Sequence, residues 1–256
     1  LMINVIRKLT AAGIPAPLVI DTTELSVMEA ALKTAPGRCL LNSTHLEGGK
    51  AKAEAVFRLA KTYNAAVIML TIDEEGMAKT SARKLAIAQR LYHMAVAEFQ
   101  LLPQDLVFDC LTFTLASGAP ELATSAMETM EGIRSIKKNL PGVFTSLGIS
   151  NLSFGLPKNA RPILNSVFLY HCLQAGLDMA IVNPAQITPY SDIAAEEREL
   201  AEALIFNRHP EALQNVIEYF SAQKESSSEA KKSPLQALEE LPPAERLHYR
   251  ILQRHK

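Results

Sequence analysis

Six short apolar, β-branched runs recur along this chain, and each ends on an Asp or an Asn. The runs are Pro17–Asp21, Arg38–Asn42, Ala65–Asp73, Asp105–Asp109, Val143–Asn151 and Met179–Asn183. Stretches with helical spacing separate them, over Leu25–Thr34, Lys50–Tyr63, Thr80–Phe99, Thr124–Asn139, Ala160–Ala175 and Glu196–Asn207. Within these stretches apolar side chains fall three and four apart, as at Ile87, Leu91 and Met94. Continuous apolar strands alternating with amphipathic helices require a parallel sheet covered by helices.

The spacing of the strand ends chooses among parallel folds. From Asp21 to Asn183 the repeat averages about 32 residues, the unit size of a (β/α)8 barrel. A doubly wound nucleotide-binding sheet would open on a glycine-rich turn, and neither GxGxxG nor GxxxxGK[ST] occurs. The fold expected is therefore α/β, a (β/α)8 TIM-barrel type. About six βα units are visible, and a helical segment at Ile3–Ala12 precedes the first. Since a closed barrel of this class needs eight strands, the first two are expected upstream of Leu1, making this an N-terminally truncated barrel.

Composition removes several classes of function. Hydrophobic residues make up 48% and charged ones 21%, too apolar a balance for a disordered chain. Lys and Arg number 26 against 27 Asp and Glu, so no basic footprint invites nucleic acid or an anionic membrane. The longest uncharged run, Leu140–Pro157, is broken by Gly, Pro and Asn and cannot span a bilayer. Three widely separated cysteines without a CxxC pair, and no visible signal peptide, lead to an expected cytoplasmic location. After Phe220 the composition shifts. Residues 1–220 read as the barrel, 221–234 as a polar, Ser-rich linker and 235–256 as a further amphipathic helix.

Barrel ligands sit at the C-terminal strand ends. Three carboxylates (Asp21, Asp73, Asp109) and three amides (Asn42, Asn151, Asn183) converge there, with few cations. Such a site repels phosphates and suits a neutral, planar, donor-rich ligand. Carboxylates accept parallel N–H bonds and Asn both donates and accepts, which complements the 2-amino-4-oxo edge of a pterin. The six histidines show no i,i+4 pair, so no metal site is expected. His45, just past a strand end, reads as a loop residue, His171 as a satisfied core histidine and Cys110 as a small buried hydrophobe.

The motifs are more specific. Asp21-Thr-Thr-Glu, Asn42-Ser, Thr71-Ile-Asp-Glu-Glu-Gly-Met-Ala78, Phe108-Asp109, Leu147-Gly-Ile-Ser-Asn-Leu-Ser-Phe-Gly155 and Ala175-Gly-Leu-Asp-Met-Ala-Ile-Val-Asn183 follow in that order. Together they resemble the folate (pterin-binding) domain of cobalamin-dependent methionine synthase, over roughly residues 1 to 220. The resemblance implies a methyltransferase module that binds 5-methyltetrahydrofolate and passes its N5 methyl group to cob(I)alamin on a neighbouring domain. It also implies a homocysteine/zinc domain upstream, and it makes 235–256 the first helix of a cobalamin-domain cap. Asp21, Asn42 and Asp109 would hold the pterin edge, with Asp73, Ser153 and Asn183 as further pterin contacts. Asn151 would be the catalytic residue at N5. An Arg that some members carry eight residues after that Asn is replaced by Asn159, leaving Lys158 and Arg161 as the nearby cations. Two alternatives stay open: a stand-alone methyltransferase serving a separate corrinoid protein, and a non-catalytic folate-binding barrel remnant.

Overall fold

A computed structural model describes residues 1–229 of the chain. Helix α1 (Met2–Ala11) leads into six parallel strands, which pair in sequence order in one curled sheet. They are β1 (Val19–Asp21), β2 (Leu40–Thr44), β3 (Ala66–Leu70), β6 (Leu106–Asp109), β7 (Phe144–Gly148) and β8 (Met179–Ile181). Between β3 and β6 a small antiparallel hairpin, β4 (Ile72–Asp73) and β5 (Gly76–Met77), stands apart from the sheet. Each crossover between sheet strands carries a helix, as a parallel connection requires. These are α2 (Leu25–Thr34), α3 (Lys50–Tyr63), α4 (Ser81–His93), α5 (Ser125–Asn139) and α6 (Ala160–Gln174), and α7 (Ala195–Ile205) and α8 (Ala212–Glu229) follow β8. The expected α/β, barrel-type architecture is what forms, as a half-barrel whose strands β1 and β8 each have one strand neighbour.

Alternation along each strand sorts its side chains between two faces. Val67, Met69, Leu106, Phe108 and Leu147 are fully buried in the core beneath the helices. That core is filled from the helix side by residues at three and four spacing, such as Val56, Phe57 and Ala60 of α3 or Leu164, Val167, Phe168 and Cys172 of α6. The opposite, concave face carries Asp21, Asn42, Ile68 and Val107 in one row, set by their register. Leu70, Asp109, Ser146 and Met179 form the next row toward the strand C-termini.

Three local readings are revised. The run expected as one strand through Asp73 ends at Leu70: Thr71 N–H and Oγ1 bond to Asp109 O, and the chain then folds into the hairpin, turning at Gly76 (φ +97°). Helix α4 stops being α-helical at His93 and widens into a π turn over Met94–Glu98. Helix α8 runs to Glu229, nine residues into the segment read as a linker. The remainder of that segment and the helix expected at 235–256 lie outside the described residues.

Candidate functional site

The strand register builds the site. Asp21 of β1 faces Asn42 of β2 directly, and Asp109 of β6 stands two strands away and one row higher. That separates Asp109 from Asn42 by about 10 Å across the sheet and about 7 Å along it. Asn151 closes a short 3-10 turn, Ile149–Asn151, three residues beyond the end of β7. Its position is tied to the Asp109 side of the rim. Leu115 N–H bonds to Leu152 O at 3.0 Å, and the Thr114 hydroxyl donates to Phe154 O, so the loops after β6 and β7 are zipped together.

The seven expected site residues divide by what their side chains already hold. Asp21 and Asn151 are exposed, Asn42 is half-buried, and among the described residues none of the three side chains has a hydrogen-bond partner. Asp109 is buried; its Oδ1 accepts the Leu111 N–H at 2.7 Å and its Oδ2 accepts no bond among the described residues. Burial pushes the Asp109 carboxyl up to about 6, against the opposing pull of the Leu111 amide and the Lys84 charge.

The other three are engaged within the protein. Asp73 sits on the hairpin and accepts from the Glu75 amide (3.1 Å), Arg83 and Arg90. Burial raises its carboxyl, but Arg83, the Glu75 amide and Arg90 outweigh that and hold it below the usual carboxylate range. Ser153 is fully buried, its hydroxyl donating to Ser150 O and accepting from Arg161 Nε at 3.2 Å. Asn183 caps the turn that follows β8 by accepting the Ala185 N–H at 3.2 Å. The bonds these three make organise the loops around the rim, and Asn183 keeps its exposed Nδ2 without a partner among the described residues. Of the two nearby cations, Arg161 is the one that braces the Asn151 loop. Asn159, eight residues past Asn151, instead donates to Phe220 O and pins α8.

The ion pairs on Asp73 make the hairpin pH-sensitive in a defined direction. A carboxyl held low contributes stability that is complete above its ordinary range and lost as pH falls through the lowered value. Asp73→Asn is expected to speed hydrogen exchange of the Ala78 amide, which bonds Thr71 O at 3.0 Å, by about tenfold at neutral pH. Wild type should lose the same protection only in strong acid, and equal exchange in both proteins at pH 7 would disprove the role.

His45 is half-buried; its Nδ1 accepts the Glu47 N–H, and burial with the Lys52 charge lowers its imidazole. His171 is satisfied by Glu202 at 3.0 Å. Burial pushes the Cys110 thiol up to about 12, which makes it an inert hydrophobe rather than a nucleophile. Among the described residues no group of three His, Cys, Asp or Glu could hold a metal ion, and no helix is long and apolar enough to cross a membrane.

One residue escaped the sequence reading. Lys84 of α4 is fully buried behind Asp109. Its signal was present, because it falls three residues before Ile87 and seven before Leu91, on the apolar stripe of the helix.

A family profile described as pterin binding enzyme matches residues 1–183, a span that ends on Asn183 and takes in all seven residues. The chain belongs to the pterin-binding enzyme family. Among curated relatives, the methionine synthase of Mycobacterium tuberculosis (strain ATCC 25618 / H37Rv) is 40% identical over 242 residues. That match takes in 92% of this chain and 20% of the relative. The methionine synthase of Mycobacterium leprae (strain TN) is 39% identical over 240 residues, with the same coverage. The chain thus spans a fifth of the length of these relatives.

Proposed function

We propose that this chain binds 5-methyltetrahydrofolate by its pterin ring and presents the N5 methyl group to cob(I)alamin carried on a neighbouring domain. The step would serve methionine synthesis from homocysteine in a larger cytoplasmic protein. One observation carries the reading: among the described residues Asp21, Asn42, Asn151 and one oxygen of Asp109 are strand-end polar groups without an internal partner, and they share one rim. Unsatisfied polar groups held in fixed places are complementary to a ligand that satisfies them. Family membership supports the pterin, and the two methionine synthase relatives support the reaction.

The pyrimidine-like edge of the pterin presents parallel N–H donors, which suit Asp109 Oδ2 and the Asp21 carboxylate. Asn42 supplies both a donor and an acceptor beside them. With its carboxyl at about 6, Asp109 is mostly ionised at neutral pH and accepts strong, charge-assisted bonds. The acceptor's corrin cobalt supplies the electron pair that takes the methyl group. Exposed Asn151, with Phe154 beside it at 68% exposure, leaves that side of the rim open to a flat macrocycle on another domain. When the C–N bond breaks, its electron pair stays on N5, and the amine leaves readily only when N5 carries a proton. Exposed at the rim, Asn151 leaves N5 open to a proton from water. Its carboxamide can turn either its oxygen or its N–H toward N5, and bonds the protonated amine most strongly as the C–N bond lengthens.

Calorimetric titration with 5-methyltetrahydrofolate tests the binding half of this reading. Saturable binding at one site is expected, weakened about tenfold by Asn42→Ala, whose side chain supports no other part of the fold. A cooperatively folded chain that takes up no ligand would overturn the assignment.

A further inference from the structure

We infer that Lys84 is a positioning residue for the Asp109 end of the site: its buried ammonium ties the hairpin to the loop after β6 and so fixes where the Asp109 carboxylate points. The inference rests on the functional reading above, because it concerns the same pterin-facing carboxylate.

The side chain is provided for from several elements at once. Lys84 Nζ donates to Ala78 O (3.0 Å), to Cys110 O and to Leu111 O (3.2 Å), which uses all three ammonium hydrogens. The Phe113 ring centroid lies 5.6 Å from Nζ. Its aliphatic stem runs past Gly132 of α5, where a Cβ would come within 2.8 Å of Lys84 Cδ. Among the described residues no carboxylate stands within ion-pair distance of Lys84. A leucine would fill the same space without burying a charge, so packing alone does not account for a lysine here.

The three carbonyls reveal what the ammonium does. Ala78 follows the hairpin, and Cys110 and Leu111 follow Asp109. Leu111 adopts φ +55°, the left-handed region that a branched side chain rarely enters. In that conformation its N–H reaches Asp109 Oδ1, and its carbonyl is held by Lys84 and by the Thr129 hydroxyl at 2.8 Å. One residue is thus gripped from both sides, and the carboxylate cannot swing without breaking the grip. Oδ2 stays turned outward.

Charge reinforces the geometry. The ionisable groups that act on Lys84 are Cys110 and Asp109 at the end of β6 and Glu128 of α5, which itself accepts the Ser81 N–H. Burial lowers Lys84 to about 8, so at neutral pH it keeps its proton and favours the ionised form of Asp109.

The test compares Lys84→Met, Lys84→Gln and Gly132→Ala with wild type, after thermal unfolding has shown which variants fold cooperatively. Two readouts are taken: carbon NMR titration of the Asp109 carboxyl without ligand, and calorimetric binding of 5-methyltetrahydrofolate. Lys84→Met is expected to raise the Asp109 midpoint by about one pH unit and to weaken folate binding about tenfold at pH 7. Lys84→Gln, which keeps donors but no charge, should recover part of the affinity while leaving the midpoint raised. Should Lys84→Met fail to fold, Gly132→Ala, whose Cβ would force the Lys84 stem aside and so displace the ammonium, decides by the same measurements, with a raised Asp109 midpoint expected. An unchanged carboxyl titration in a folded variant overturns the positioning role. Failure of wild type to bind folate would overturn the functional reading instead, and the ligand-free titration would still judge Lys84.

Discussion

Asn151→Ala is expected to slow methyl transfer to added cob(I)alamin by about 10²–10³-fold while changing the affinity for 5-methyltetrahydrofolate by no more than about threefold. The split follows from where Asn151 stands. Its turn is closed by backbone bonds, Leu152 N–H to Ile149 O at 3.3 Å and Phe154 N–H to Asn151 O at 3.3 Å, and these survive removal of the side chain. In the proposed function the pterin edge is held elsewhere, by Asp21, Asn42 and Asp109. Only the interaction with N5 is lost, and that interaction strengthens as the C–N bond breaks. Single-turnover decay of cob(I)alamin absorbance at saturating folate, set beside calorimetry, measures both quantities. An equal loss in rate and affinity would make Asn151 a binding residue only.

Asp109→Asn should produce opposite effects on binding and on stability. The folded protein raises this carboxyl to about 6, so it favours the protonated form. Stability linked to that preference is complete below the ordinary carboxylate value and is lost as pH rises through 6. At pH 8 the buried charge therefore costs the fold up to roughly 3 kcal/mol, a ceiling set by a shift of about two units. Asparagine keeps an acceptor for the Leu111 N–H and removes the charge. Lys84 loses a favourable neighbour in exchange, so the gain falls short of the ceiling. The variant should unfold at higher urea than wild type at pH 8 and at nearly the same urea at pH 4. Folate affinity should meanwhile drop about 100-fold, because an amide whose oxygen stays on the Leu111 N–H turns its own N–H donors toward the N–H edge of the pterin. A variant destabilised at pH 8 would show that Asp109 supports the fold rather than straining it.

Much of the architecture was legible because its periodicity is strong. Helices α2 and α3 begin and end where the apolar spacing does, and five of the six sheet strands fall within the apolar runs, with β2 continuing two residues past its run to Thr44. The failures share a cause: the deciding interactions are between segments distant in sequence. Thr71 stops β3 by bonding across to Asp109, which nothing in Ala65–Asp73 foretells. Helix α8 extends through a Ser-rich stretch whose composition reads as linker. In the site, residue type placed Asp21, Asn42, Asp109 and Asn151 on one rim. It could not tell which of the seven already hold protein partners, since only the fold brings Arg83 and Arg90 onto Asp73 and Arg161 onto Ser153. Lys84 was hidden by its charge, because a lysine on a helix is ordinarily solvated and this one is surrounded by carbonyls.

The zipped loops after β6 and β7 turn the rim into a ruler. Leu115 bonded to Leu152, and Thr114 to Phe154, fix the span between the Asp109 end and the Asn151 end. In the proposed function, a pterin gripped at the Asp109 end is thereby presented to Asn151 at a set reach, by two hydrogen bonds that never touch it.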